Sequence, residues 1–330
     1  GTAYDTDVLD VVLAAAACHH LDGDPVWVLV VGGPGSAKTE TVNALAGANA
    51  ITASTISGPA ALLSATPAKE KHKNAHGGLL RQIGTRGLLV IKDVTSILSQ
   101  HRESRAEVMA ALREVYDGRW DRVVGGEGGR TLSWHGHVIV IGAVTTEWDA
   151  AHGVISAMGD RWHLIRMDST TQRMTHGHQA MRNLGRESQM RDELAHAVGA
   201  VMHEVDPALA QLDDELIGTA VRIADIVTLS RTAVERDYHQ DVIGAHAPEA
   251  PTRYAKGLGQ LARGGLAVGM SRDEVDAMLW RVGADSMPPM RRVVLGDVTR
   301  HEGTTCSETQ KRVQRPRQSV DRVLQELHQL

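Results

Sequence analysis

The sequence predicts an α/β protein: a doubly wound parallel sheet followed by a long helical region. Three observations predict it. Residues 26–31, 88–91 and 138–144 are unbroken apolar runs, as strands buried on both faces require. Stretches of helical spacing separate them, and strands alternating with helices make parallel sheets. After Asp168 the strand runs cease, and helical periodicity continues to Leu330.

Taken in order, residues 8–20 form a helix, with Val8, Leu9, Val12 and Leu13 followed by four alanines. The breakers Asp22, Gly23, Asp24 and Pro25 end it. Residues 26–31 are the first strand, and a Gly-rich turn leads into a helix over 38–47. Residues 51–56 are the second strand. Residues 88–91 are the third, followed by a helix over 104–116. Residues 138–144 and 162–167 are the fourth and fifth. Three units are expected: 1–168, 169–285 and 286–330. The proline-bearing stretch 245–251 reads as a connection, and 286–289 as the second boundary.

Bulk composition excludes several classes. With 42% hydrophobic and 23% charged residues, neither a disordered nor a collagen-like chain fits. A net charge of -5 excludes a uniformly basic coat, though not a local basic patch. The two cysteines, Cys18 and Cys306, cannot build a disulfide framework or a Cys-rich zinc site, so a reducing cytoplasm is expected. The apolar stretch 8–18 is too short to span a bilayer and follows no basic segment, so no membrane association is expected. The two His-Gly-His triplets, His135/His137 and His176/His178, lack a third ligand at a familiar spacing and read as solvated or structural. The chain contains no Phe, so Leu, Val, Ile, Met and Ala must fill its core.

The strongest motif is Gly32-Gly33-Pro34-Gly35-Ser36-Ala37-Lys38-Thr39, between an apolar strand and a helix. That is the context of a P-loop. Glycines permit a tight turn in which backbone N–H groups converge on phosphate oxygens, and the helix N-terminus adds its positive end. Lys38 supplies a charge to the β- and γ-phosphates of ATP, and the Thr39 hydroxyl would ligate Mg²⁺. Ala37 stands where Gly is usual. The partner is Leu88-Leu89-Val90-Ile91-Lys92-Asp93, a buried strand ending in a carboxylate that can reach the same Mg²⁺.

With both motifs in place, residues 8–285 resemble the AAA+ ATPases. The string Lys92-Asp93-Val94-Thr95-Ser96-Ile97-Leu98 is similar to that of phage and mobile-element members with Phe at the position of Val94. Many family members carry Glu directly after the Asp to orient the attacking water. Here Thr95, or a carboxylate from elsewhere, would take that role. The resemblance further implies a sensor at Thr145-Thr146, with Thr146 as the catalytic candidate. Arg161, in Gly159-Asp160-Arg161, would be an arginine finger reaching the nucleotide of a neighbouring subunit; a surface ion pair is the alternative. Arg253 would be a lid arginine touching the γ-phosphate.

Residues 117–134 read as a hairpin around a Gly-rich turn. Its place resembles the pre-sensor-1 hairpin clade, which implies contact with DNA or a partner in a ring pore. Arg119, Arg122 and Arg130 are then phosphate contacts, and Trp120 can stack on a base; a purely structural hairpin fits equally. The basic run 69–73 is a second DNA-facing loop or a solvated face.

Residues 286–330 hold eight Lys+Arg against five Asp+Glu, a net of +3 that leaves -8 for the rest. That segregation points to an anionic partner. A helix from Met290 to His301, one capped by Ser307, and one from Arg317 to Leu330 are expected. Arg317, Gln318 and Arg322 face outward from the last, suited to a DNA major groove. The arrangement resembles a winged helix-turn-helix, with Gln310 where that fold carries a small apolar residue. The chain begins at Gly1 rather than Met and stops before any wing strands, so a fragment and a whole chain are both open readings. The resemblance implies an ATP- and Mg²⁺-dependent ATPase acting on DNA as a homo-oligomer, a hexameric ring. The alternative is a nucleotide-switched transcription regulator with little hydrolysis. A remodeller of protein partners is a third reading.

Overall fold

The computed structural model describes residues 5–64, 77–125, 129–156, 161–168, 170–171, 173–239 and 241–330, with the backbone alone at 152–156. The basic run 69–73 lies outside the described residues, as do Gly159 and Asp160. The first seven strands are β1 (Trp27–Val31), β2 (Ile51–Ala53), β3 (Arg86–Ile91), β4 (Arg119–Val124), β5 (Arg130–His135), β6 (His137–Val144) and β7 (Trp162–Arg166). Five of them form the predicted parallel sheet, in the order β2-β3-β6-β1-β7. Every residue of β1 is buried, which is why its sequence reads as a continuous apolar run.

The pleat sends alternate side chains to two different layers. Val28, Val30, Ile139, Ile141 and Ile165 pack on one side against α1 (Asp7–Ala17), α10 (Asp214–Arg231), α11 (Thr252–Ala267) and α12 (Arg272–Ser286). The four alanines of α1 are buried there. They meet Gly264 of α11, where an added Cβ would lie 2.0 Å from the Ala14 carbonyl oxygen. Small residues on both helices therefore set their close approach. Trp27, Leu29, Val31, Val140 and Leu164 point to the other side, toward α6 (Arg102–Tyr116) and α7 (Glu147–Ser156). Five of the six tryptophans lie in this second layer. Trp27 and Trp162 approach to 4.9 Å between ring centroids. The aromatic bulk of a chain without Phe is thus concentrated on one face.

The hydrophobic cluster of the first layer runs from the sheet into α10–α12 without a break. The expected division at 168 therefore does not coincide with a gap in the core. Strand β7 lies at the sheet edge, and α12 covers it: Ser286 Oγ accepts from Leu164 N (2.9 Å), and Asp285 accepts from Arg166 N (2.8 Å). Capping the free N–H groups prevents that edge from pairing with another chain.

The expectation of helices alone after Asp168 is corrected. Strands β8 (Val234–Arg236) and β9 (Val242–Ala245) form a two-stranded antiparallel ribbon. They have three and four residues, too few to show a period of two.

The C-terminal helices α13 (Pro289–Val298), α14 (Cys306–Val313) and α15 (Arg317–Gln329) enclose their own small cluster of Val294, Val320 and Val323. Thr305, rather than the expected Ser307, caps α14 and exchanges hydrogen bonds with Glu308. The buried position of α14 is Thr309, one residue before Gln310. Gln314, in the left-handed region at φ 52°, ends the helix, and Pro316 starts α15. The module is fastened to the body by Arg291, which donates to the carbonyls of Ser230 (2.8 Å) and Thr232 (2.6 Å) and pairs with Glu326 (2.8 Å). Among the described residues, no helix is long and apolar enough to cross a membrane.

Asp297 joins α13 to α14 by accepting two bonds from Arg312, both 2.8 Å. The Arg312 guanidinium holds its carboxyl down to about 2. A carboxyl depressed in the folded state contributes its stability above the unfolded value and loses it as pH falls through the folded one. Between about pH 4 and pH 2 the unfolding midpoints of the native chain and of Asp297→Asn should therefore converge. A constant difference through that window would contradict the linkage.

Candidate nucleotide-binding site

The phosphate cradle sits at the C-terminal end of β1, the usual ligand crevice of a parallel sheet. Gly32 N donates to Val144 O (3.2 Å), which sets the loop beside the end of β6. An added Cβ at Gly32 would lie 2.8 Å from Ser36 Oγ and 3.3 Å from both Lys38 Cδ and Met167 Cβ, so only glycine fits. Gly35 has φ 77°. Pro34 and Gly35 are exposed at the tip, while Ser36 is buried and its hydroxyl donates to Gly33 O (2.8 Å). Lys38 Nζ donates to the same carbonyl (2.6 Å) and to Ser36 Oγ (3.3 Å). Burial lowers the Lys38 pKa, and the negative charge of Asp93 works in the opposite direction. The two motif residues are therefore within electrostatic reach. Thr39 is exposed at the mouth.

Ala37 precedes α2 (Lys38–Asn43) with φ 63° and ψ 14°, in the left-handed region. The consequence of losing glycine here is backbone strain of about 1 kcal/mol, because a Cβ crowds the following carbonyl. Ala37→Gly should therefore raise the free energy of unfolding by about 1 kcal/mol in a denaturant titration. A lower midpoint would show that the strain is absorbed elsewhere.

Asp93 ends the approach of β3. Its carboxylate accepts from Ser96 N (3.3 Å) and from the Ser96 hydroxyl. Val94 is 2% exposed and faces the core, where a methyl on Gly142 would collide with it. The next residue turns back to the site. Thr95 Oγ1 donates to Thr145 Oγ1 (3.3 Å) and accepts from Thr145 N (3.0 Å). Thr145 thus occupies the seam between the two motifs, whereas Thr146 is exposed one step beyond. Loop amides, Lys38, the Thr39 hydroxyl and the Asp93 carboxylate form a donor set that fits a Mg²⁺-bound triphosphate.

Other predicted site residues lie elsewhere. Arg161 precedes β7, at the opposite end of the sheet from the cradle. Its guanidinium pairs with Asp117 (3.0 Å) and lies 5.4 Å over the Tyr116 ring, so the ion-pair alternative describes its present state. Arg253 also belongs to that opposite end. Helix α11 starts beside the beginnings of β1 and β7, where Lys256 pairs with Asp24 (3.2 Å) and Tyr254 stacks on His163 (4.5 Å). Arg253 itself pairs with Glu249 (3.5 Å). Five strand residues, about 16 Å, separate that end from the cradle, so its placement at the γ-phosphate is corrected.

In the hairpin, Trp120 opposes Trp134 in the register, and both are buried. The expectation that Trp120 stacks on a base is corrected: its ring serves the core. Arg122 is half-buried and donates to Leu63 O, so it is also not presented outward. Arg119 is exposed and paired with Asp121 (2.8 Å), and Arg130 is exposed. Arg317, Gln318 and Arg322 are all exposed on α15, as expected.

Sequence reading missed the residues that border the cradle from the far segments. A cavity of about 810 Å³ is lined by Asp5, Arg166, Met167, Arg281, Asp285 and Arg292. Met167 connects it to the loop through Met167 N and Val31 O (2.8 Å). Asp285 accepts from Arg281 (2.8 Å) and Arg292 (2.5 Å), and Arg281 also reaches Asp5 (2.7 Å). Although burial opposes the charge of Arg281, the bonds to Asp5 and Asp285 hold its pKa above the ordinary value. The i, i+4 spacing of Arg281 and Asp285 was a readable signal; their meeting with Asp5 and Arg166 was not.

No curated protein matches the chain. Residues 28–164, from the second residue of β1 to the third of β7, match the model of the family described as ATPase family associated with various cellular activities (AAA).

Proposed function

We propose that the protein binds and hydrolyses ATP as an AAA+ motor acting on DNA, assembled as a homo-oligomeric ring. The observation that carries this reading is the seam of Lys38, Thr145, Thr95 and Asp93 across the ends of β1, β6 and β3. Thr39 and Asp93 would hold Mg²⁺, which neutralises charge developing on the phosphates when bound. The loop amides and Lys38 would orient the triphosphate, and the Thr95–Thr145 pair is placed to orient a water. In this reading Arg161 leaves Asp117 to serve a neighbouring subunit.

The C-terminal module supports the DNA part. Three of its arginines are spent on Asp285, Asp297 and Glu326, but Arg300, Lys311, Arg315, Arg317 and Arg322 are exposed. In this reading α14 and α15 form a helix-turn-helix, and α15 presents Arg317 and Gln318 at its first turn to a major groove. The buried Val94 favours a second reading, a nucleotide-switched DNA-binding regulator, because no carboxylate follows Asp93.

ATP turnover without DNA, with single strands and with duplex separates the two. Stimulation by DNA supports the motor, and slow turnover indifferent to DNA supports the switch. In either case Arg317→Ala with Arg322→Ala should weaken DNA binding by about 1–3 kcal/mol per contact and reduce the salt slope by about 2. Binding unchanged in the double variant would remove α15 as the DNA-contacting surface, and no binding by the native full chain at low salt would remove DNA from the proposal.

A further inference from the structure

A second cavity, of about 360 Å³, lies at the opposite end of the sheet from the phosphate cradle. It opens where β2 and β3 begin, beside Ile51 and Leu88. One wall is the single helical turn Cys18–His20 that follows α1. The facing wall is the last turn of α9 (Glu187–His203). Helix α9 is held close to the body at Gly47, where an added Cβ would lie 1.8 Å from Ala195 O. The space beside that crossing has the size of a small-molecule site.

Its lining is one-sided in charge. The polar residues are His19, His20, His203, Arg86, Asn49 and Gln82, and no described acidic residue is among them. Ile83, Leu88 and Met202 supply an apolar side. His19 Nδ1 is buried with no hydrogen-bond partner among the described residues. Arg86 is already fixed: it donates to His19 O (2.7 Å) and Leu21 O and pairs with the fully exposed Asp22 (3.4 Å). It therefore acts on the cavity through its charge, and the imidazoles and amides are left to make contacts. Further positive groups face the histidines: His137 from β6, and from α11 Arg263, which donates to Asp22 O (2.6 Å). The other carboxylates are turned elsewhere. Asp24 pairs with Lys256 (3.2 Å), Asp7 and Asp10 lie in the first turn of α1, at its far end, and Glu204 is exposed outside the lining. Burial, then His20, Arg86 and His137, hold His19 below its ordinary value, and burial and Arg86 lower His20. A negative charge placed among these rings would favour their protonated forms.

We propose that this cavity binds a small organic anion, a carboxylate or phosphate monoester with a compact apolar body. The charged group lies against His19, His20 and His203, and the body against Ile83, Leu88 and Met202. Asn49 and Gln82 donate from the rim. The site is separate from the nucleotide cradle and does not depend on it. Because the anion raises the affinity of the imidazoles for protons, binding takes protons up, and affinity increases as pH falls.

The test is a ligand-observed NMR titration of the full chain with benzoate and with phenyl phosphate, acetate serving as a charged head without a body. At least one of the two aromatic probes should bind, about tenfold or more tighter than acetate, and the tighter of them names the head group. Benzoate keeps its charge above about pH 6, so it carries the pH arm, and its affinity should fall about tenfold between about pH 6 and pH 8. His20→Gln with His203→Gln, both exposed, should weaken binding by about tenfold or more at an unchanged unfolding temperature. Gln82→Ala at the exposed rim should weaken it by about threefold and gives a second, independent variant. A saturating, slowly hydrolysed ATP analogue with Mg²⁺ should not displace the probe. Binding of neither probe, equal binding of acetate, indifference to pH or to both variants, or displacement by the ATP analogue each overturns the assignment.

Discussion

Lys38→Ala is expected to lower nucleotide affinity by about 30-fold or more and to abolish ATP turnover. Lys38 is 8% exposed, and its ammonium is hydrogen-bonded within the loop to Gly33 O. A triphosphate would offer it a charged acceptor in place of a carbonyl. Removing one member of such a buried charged pair costs about 2–5 kcal/mol, which sets the expected loss. Titration with a fluorescent ATP analogue measures it, with a melting curve to confirm the fold. Native-like affinity in the variant would mean that the 32–39 turn is not a phosphate cradle.

The second large effect is on stability. Asp285→Ala should cost about 3–5 kcal/mol, the scale observed when one partner of a buried ion pair is removed. The Asp285 side chain is 3% exposed, and it answers Arg281, Arg292 and the backbone of Arg166 together. Its loss takes the carboxylate partner from Arg292, leaves Arg281 to Asp5 and Asp7, and uncaps an edge-strand N–H. Asp285→Asn should be milder, since its amide oxygen still accepts from Arg166 N. Denaturant unfolding of the three proteins checks the order. If Asp285→Ala unfolds within about 1 kcal/mol of the native chain, the network is ornamental rather than structural.

The nucleotide loop and the five sheet strands were legible because their signals are local. A strand buried on both faces must be apolar at every step, and β1, β3 and β6 are nearly so. A phosphate turn needs its glycines and lysine in one short run. Strand β2 was legible in place but overextended, since it ends at Ala53. Arginine roles were not legible. Arg253 and Arg281 both sit on helices of the same region, but one pairs with Glu249 and the other with Asp5 and Asp285. Nothing in the neighbouring residues distinguishes them, because the end of the sheet that each reaches depends on how α11 and α12 pack.

Charge and aromatic content follow the same division. The +3 excess of residues 286–330 is a property of the sequence, yet the structure spends Arg291, Arg292 and Arg312 on internal carboxylates and leaves Arg300, Lys311, Arg315, Arg317 and Arg322 exposed. The absence of Phe is plain in the composition, but its compensation is tertiary: tryptophans from five separate segments converge on one face of the sheet. The sequence alone determined the parallel sheet and the places of the 32–39 loop and Asp93 at its strand ends, because hydrogen-bond geometry and strand burial act over a few residues. Only the tertiary structure decided which cations are free, which tryptophans are buried and which segments border the cradle, because those depend on contacts between residues far apart in the chain.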